Sequence, residues 1–139
     1  MMNTRLLLDT CAVIWIANND PIAKDAQEAI AAALGADEPI FVSPISAWEI
    51  GLLAARGRIS LHMSPEKWFE HLLMAPGVSL ADMPPQVLIA SSFLPGAHPS
   101  DPADRIIAAT AREYGYRLVT RDRRLLAYAD AGYCGALIC

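Results

Sequence analysis

Short unbroken apolar runs alternate along this chain with longer stretches whose apolar residues recur every three to four positions. Leu6-Leu7-Leu8 has no polar position to turn toward water, as expected of a strand buried on both faces of a parallel sheet. From Thr10 to Asn18 the pattern becomes helical, with Val13, Ile14, Trp15 and Ile16 directed inward. Asp20-Pro21 marks a turn and a fresh helix start. Ile22, Ala26, Ala29-Ile30 and Ala33-Leu34 then keep helical spacing until Gly35 ends the helix. Pro39 to Ser43 reads as a second strand, and Ser43-Pro44 caps a helix running to about Ala55. Ser64-Pro65-Glu66 opens another helix through Trp68, Phe69, Leu72 and Leu73, Val78-Ser79-Leu80 is a third strand, and Pro84-Pro85 precedes a helix over Gln86 to Phe93. Leu94 to Ser100 is a Pro/Gly-rich loop that reads as a site rim rather than a domain linker. A helix from Pro102 to Gly115, a strand from Tyr116 to Thr120, a short helix from about Arg123 to Ala129 and a last strand near Tyr133 to Ile138 complete the order.

Strands that alternate with helices predict an α/β fold with a central parallel sheet covered on both faces. A length of 139 residues fits one domain, taken as residues 1–139, and suffices for a hydrophobic core. The apolar fraction of 54% excludes a disordered chain. Met1 to Arg5 leads directly into the first strand without a cleavage-type signal, and the apolar stretches are too short and interrupted to span a membrane. Cys11, Cys134 and Cys139 form neither a CxxC motif nor an even set, so they read as reduced thiols and the expected address is the cytoplasm. A formal net charge of −4 removes any global field that would draw in nucleic acid, so such binding would have to be local or metal-mediated. Of the eleven cations, Arg105, Arg112, Arg117, Arg121, Arg123 and Arg124 fall after residue 100.

Four acidic residues stand where stability alone would not put them. Asp9 ends the first apolar run, Glu49 lies inside the apolar helical segment Ile45 to Ile50, Asp104 opens the helix of Ile106 to Ala111, and Asp122 follows the strand ending at Thr120. Each has an ordinary explanation. Asp9 can cap the helix that begins at Thr10, Glu49 can be a solvated helix residue, and Asp122 can be a turn residue paired with arginines. Asp101-Pro102-Ala103-Asp104 resembles a capping box, but Asp104 shares the stripe of Ile107, Ala108 and Ala111. Asp101 therefore takes the capping role, with a secondary part in the site, and Asp104 looks toward the core or a cleft. Ligands of parallel sheets bind beyond the carboxyl ends of the strands, the edge where these residues fall. Like charges taken out of water repel and lose hydration unless a cation neutralises them, and an oxygen-only set suits Mg²⁺ or Mn²⁺. That is the chemistry of metal-assisted phosphodiester cleavage.

Thr120 is placed to orient a ligand carboxylate or a metal-bound water. Arg121, Arg123 and Arg124 cluster where a helix begins, the end that disfavours cations, which makes them candidate phosphate contacts beside the commoner reading of solvated charges. His62, His71 and His98 have no paired spacing, though His98 can rim the site. Trp15, Trp48 and Trp68 occupy helical positions and read as core or interface rather than base-stacking platforms.

Leu6-Leu7-Leu8-Asp9-Thr10, Ser46-Ala47-Trp48-Glu49-Ile50, Asp101 to Ala111 and Leu118-Val119-Thr120-Arg121-Asp122 resemble, in order, the blocks of PIN-domain ribonucleases, and most of all the VapC-type toxins of bacterial toxin–antitoxin pairs. The resemblance spans essentially the whole chain. It implies a three-layer α/β/α sandwich around a central parallel sheet, and a Mg²⁺- or Mn²⁺-dependent endoribonuclease site made by Asp9, Glu49, Asp104 and Asp122 with Thr120 beside it. It implies a homodimer silenced by a small VapB-like antitoxin in a hetero-oligomer, RNA as substrate and no membrane partner. In the expected mechanism Asp9 and Asp104 hold the principal metal, and Glu49 and Asp122 complete its shell directly or through water. A second metal joins when substrate supplies phosphate oxygens, and a metal-activated water attacks in line. A phosphoacceptor receiver would want a late strand-end lysine, but the lysines are Lys24 and Lys67. An aspartyl-phosphate phosphatase would want an acid where Cys11 stands. A binding module with an unused pocket is the remaining rival, and metal-dependent turnover separates it from an enzyme.

Overall fold

The computed structural model describes residues 5–139, so the expectation for Met1 to Thr4 lies outside the described residues. Five strands, β1 (Leu6–Leu8), β2 (Ile40–Val42), β3 (Val78–Leu80), β4 (Arg117–Thr120) and β5 (Gly135–Ile138), form one sheet in the order β3-β2-β1-β4-β5. Every pairing is parallel. The helices are α1 (Thr10–Ala17), α2 (Lys24–Gly35), α3 (Pro44–Ala55), α4 (Pro65–Met74), α5 (Pro85–Ala90), α6 (Pro102–Tyr114) and α7 (Arg123–Asp130).

Strand side chains alternate between two cores. Leu6, Leu8, Ile40, Val42, Val119 and Leu137 face α1, α2 and α4 and the Ile50 side of α3. Leu7 and Leu118 face the other way, onto Val87 of α5, Ile107, Ala108 and Ala111 of α6, and Leu125 and Tyr128 of α7. β1 therefore has no water-facing side, which is the physical reason for three consecutive leucines. The parallel sheet covered on both faces, expected from the alternation of elements, and the three-layer sandwich implied by the family resemblance are the observed architecture.

Boundaries differ from expectation where backbone groups find other partners. The helix expected just after Pro21 begins only at Lys24. Pro21 to Ala23 is instead tied to the far end of the chain: the Ala23 N–H donates to the Cys139 main-chain oxygen at 3.2 Å. The helix expected to reach Phe93 stops at Ala90, and the Ser91 hydroxyl turns back onto the Leu88 carbonyl at 2.6 Å. The last strand begins at Gly135 rather than Tyr133. Gly115 terminates α6 in the left-handed conformation, at φ 71°, where a side chain would be strained. Among the described residues no helix is long and apolar enough to cross a membrane.

Sheet order decides where a ligand can go. From β1 the chain builds outward to β2 and β3, then crosses back to lay β4 and β5 on the opposite side. The crevice between the carboxyl ends of β1 and β4 is thus the topological switch point.

Candidate active site

Asp9 and Thr120 stand at that switch point, one after β1 and one at the end of β4. Asp9 is the N-cap of α1, with Oδ1 accepting from the Ala12 N–H at 2.8 Å. The Thr120 hydroxyl, fully buried, donates to Asp9 Oδ2 and accepts from the Asp122 N–H at 3.0 Å. A continuous hydrogen-bond path therefore joins the two strand ends. Asp122 caps α7, its Oδ1 accepting from the N–H groups of Arg124 at 2.9 Å and Leu125 at 3.0 Å. Its ordinary role as a cap and its place at the cleft hold together, since only one of its oxygens is engaged by the helix.

Glu49 comes from the opposite wall, in mid-α3. The Thr10 hydroxyl donates to its Oε1, and Thr10 Oγ1 lies 2.9 Å from Ser46 Oγ. Thr10 has a single hydroxyl proton, so Ser46 must donate to Thr10. Asp104, in the first turn of α6, is half-buried, while Asp101 caps that helix by accepting from the Asp104 N–H at 3.0 Å. Asp101 thus takes the capping position expected of it, and Asp104 lies at the cleft.

Asp9, Glu49, Asp104 and Asp122 line one open cleft of about 220 Å³ together with Thr10, Cys11, Trp15 and Arg121. Three of the carboxylates sit at helix N-termini, where the backbone partial charge favours an anion. Burial and mutual repulsion nevertheless dominate. Asp104 is pushed up to about 7, first by burial and then by the charges of Asp101, Asp122, Glu49 and Asp9. Burial also raises Asp9, against the lowering effect of the Thr120 and Ala12 hydrogen bonds. Glu49 is raised by burial and by Asp101 and Asp9, with Thr10 opposing. The Cys11 thiol, raised to about 11 by burial and the same carboxylates, stays protonated.

A donor set of carboxylates and hydroxyls, short of compensating positive charge, fits a hard divalent cation in its chemistry. Among the described residues no three His, Cys, Asp or Glu side chains are already gathered into a metal-holding group, so the fit rests on donor type and charge. Asp101 does not line the cleft, but its charge acts on both Asp104 and Glu49.

The arginine cluster separates. Arg121 lines the cleft, with its guanidinium carbon 3.8 Å from the centroid of the Trp15 ring. Arg124 reaches Ser100 Oγ at 3.3 Å, and Arg123 is exposed away from the cleft lining. His98 is not part of the lining either. Thr10 and Ser46 are lining or supporting residues that sequence reasoning did not single out, while Cys11 and Trp15, read as a reduced thiol and as a core or interface side chain, also line the cleft. Ser46 and Glu49 are one helical turn apart, and Thr10 follows Asp9 directly, so adjacency was the available signal.

A sequence profile of the PIN domain matches residues 6–131. This chain belongs to the PIN-domain family. It is 39% identical to Ribonuclease VapC22 of Mycobacterium tuberculosis (strain ATCC 25618 / H37Rv) over 124 residues, covering 89% of this chain and 91% of that protein. Its fold is similar to a chain in the crystal structure of VapBC2 from Rickettsia felis bound to a DNA fragment from their promoter, with a TM-score of 0.68 and 15% identity over 97% of this chain and 98% of that one. A second likeness is to DNA-bound VapBC from Salmonella typhimurium, with a TM-score of 0.64 and 19% identity over 98% of each chain. The PIN-domain architecture and the VapC-type kinship expected from the four sequence blocks are what these comparisons find.

Proposed function

We propose that this protein is a metal-dependent endoribonuclease, the toxin of a toxin–antitoxin pair, which hydrolyses RNA phosphodiesters in the cleft of Asp9, Glu49, Asp104 and Asp122. The observation that carries this reading is the meeting of four carboxylates from four separate elements at the sheet's switch point, with Arg121 the one cation in the lining among the described residues. The kinship with a protein named as a ribonuclease supports the same chemistry.

Asp9 and Asp104 would hold Mg²⁺ or Mn²⁺, with Glu49 and Asp122 completing the shell directly or through water. A cation held there would supply Lewis-acid polarisation of the scissile phosphate and a water of lowered pKa. The chain's own contribution is orientation and charge. Thr120 aims the Asp9 carboxylate, and Thr10, itself held by Ser46, aims Glu49. Burial and the surrounding carboxylates raise Asp104 to about 7, so the charged form that would hold a cation is disfavoured without one. Asp101 raises the negative potential of the cleft without entering it.

The relatives solved as VapBC complexes support a VapB-like antitoxin as partner, and a homodimer and toxin–antitoxin hetero-oligomer complete the proposed assembly in the cytoplasm. The test is cleavage of a total RNA pool by antitoxin-free protein with Mg²⁺, with Mn²⁺ or with EDTA. Cuts at defined sites that need the metal and vanish in Asp104→Asn are the expected result. A folded, metal-binding protein that cuts nothing in any RNA pool would instead point to a binding module.

A further inference from the structure

One wall of the cleft is neither carboxylate nor cap. Trp15 lies on α1, one helical turn beyond Cys11, and lines the cleft while half-buried. Arg121, in the link between β4 and α7, lies over its ring at 3.8 Å. The guanidinium is also fixed in orientation by three hydrogen bonds. Nε and Nη2 donate to the Cys139 main-chain oxygen at 3.2 and 3.1 Å, and Nη2 donates to the Pro21 carbonyl at 3.3 Å. Arg121 nevertheless remains exposed. The guanidinium is therefore backed by the indole and held at the cleft in a preset orientation.

The charge balance gives this wall its importance. Four carboxylates face one arginine in the lining, and the whole chain carries −4. A polyanion gains little here from coulombic attraction, so its hold must come from the metal and from contacts indifferent to charge. Stacking of a base on a planar cation or aromatic ring is such a contact.

We infer that Arg121 and Trp15 form a stacking step for one unstacked base of the RNA beside the scissile phosphate, the guanidinium carrying the base and the indole backing the guanidinium. The inference rests on the nuclease reading above and gives it a substrate-binding residue pair. Because every base has a π-face, the step supplies affinity and placement rather than a sequence code. Hydrogen bonds to Cys139 and Pro21 occupy Nε and Nη2, so Arg121 acts here through its plane more than through phosphate pairing.

The experiment compares binding of two probes by fluorescence anisotropy in Ca²⁺, with probe integrity checked on a gel. One is a short unstructured oligoribonucleotide, the other a ribose-phosphate strand of the same length without bases. Trp15→Ala and Arg121→Lys should each weaken binding of the base-bearing strand about tenfold, and Trp15→Phe by less than about threefold. Binding of the baseless strand and the salt dependence should stay as in the wild type. Arg121→Lys keeps the charge and loses the plane, so unchanged binding in that variant overturns the proposal. A fall of about 0.7 in the salt slope of Arg121→Gln would mark a phosphate contact and overturn it too, as would equal losses on both probes. Melting temperatures exclude unfolding, and Trp15→Phe and Arg121→Lys remain decisive if Trp15→Ala does not fold. A wild-type protein that binds neither probe overturns the nuclease reading along with the step. A wild type that binds and cuts RNA, with Arg121→Lys unchanged, overturns the step alone.

Discussion

Asp104 concentrates the tension of the cleft in one side chain. Its pKa of about 7 lies above the ordinary 3.8 because burial and four neighbouring carboxylates all oppose its charge. The folded protein thus binds more protons than the unfolded chain between these two values, and stability without metal should fall as pH rises through that window. Melting temperatures recorded from pH 4 to 8 in EDTA should show this decline, and Mg²⁺ should reverse it at the alkaline end. Asp104→Asn should abolish metal-dependent RNA cleavage and flatten the pH dependence. A mutant with the wild-type slope would assign that slope to another group. Thr120 makes the complementary case. Thr120→Val keeps the shape but removes the donor to Asp9 and the acceptor of the Asp122 N–H, so urea titration should show a loss of about 1–3 kcal/mol.

At the scale of elements, the helices deliver the carboxylates, and the caps do two jobs at once. Asp101 satisfies an N–H at the start of α6 and is the strongest of the charges raising Asp104. The two roles separate by substitution. Asp101→Ser keeps a capping oxygen without the charge, so it should hold the melting temperature and move the Asp104 titration downward. Asp101→Ala should lower stability by about 1 kcal/mol through the lost cap while producing a similar titration shift. NMR titration of the side-chain carboxyl carbons, with thermal melts beside it, checks both. Helix starts were the most legible elements because their signals are local: Ser43-Pro44, Ser64-Pro65 and Asp101-Pro102 all open helices as read. The starts and stops that shifted depend on distant partners, as when Ala23 pairs with Cys139 and delays α2.

For the whole molecule, the sheet is the frame that gives the cleft its shape. Leu7 and Leu118 are fully buried neighbours on β1 and β4, directly beneath the strand ends that carry Asp9 and Thr120. Leu118→Ala should cost about 2–5 kcal/mol by denaturant titration through the cavity it leaves. It should also weaken cleavage at temperatures where the protein is still folded, because the Thr120–Asp9 hydrogen bond rides on that strand.

The chain by itself determined the elements and the kinds of chemistry available. Leucine runs, helix spacing and cap residues are local properties, and they specify an α/β sandwich because each element must bury one kind of face. The residue types of Asp9, Glu49, Asp104 and Asp122 were likewise readable, as were the places of Asp9, Asp104 and Asp122 at strand and helix ends and of Glu49 within a helix. What only the tertiary structure decided is which of their neighbours share the cleft. Thr10 meets Glu49 across 39 positions and Thr120 meets Asp9 across 111, separations that carry no sequence periodicity. The same holds for the arginines. Arg121, Arg123 and Arg124 look alike as a cluster, yet the turn from β4 into α7 lays Arg121 on Trp15 in the cleft and sends the other two elsewhere. Local patterns encode how a segment folds, whereas the meeting of segments is set by sheet order and packing, which exist only once the chain has closed on itself.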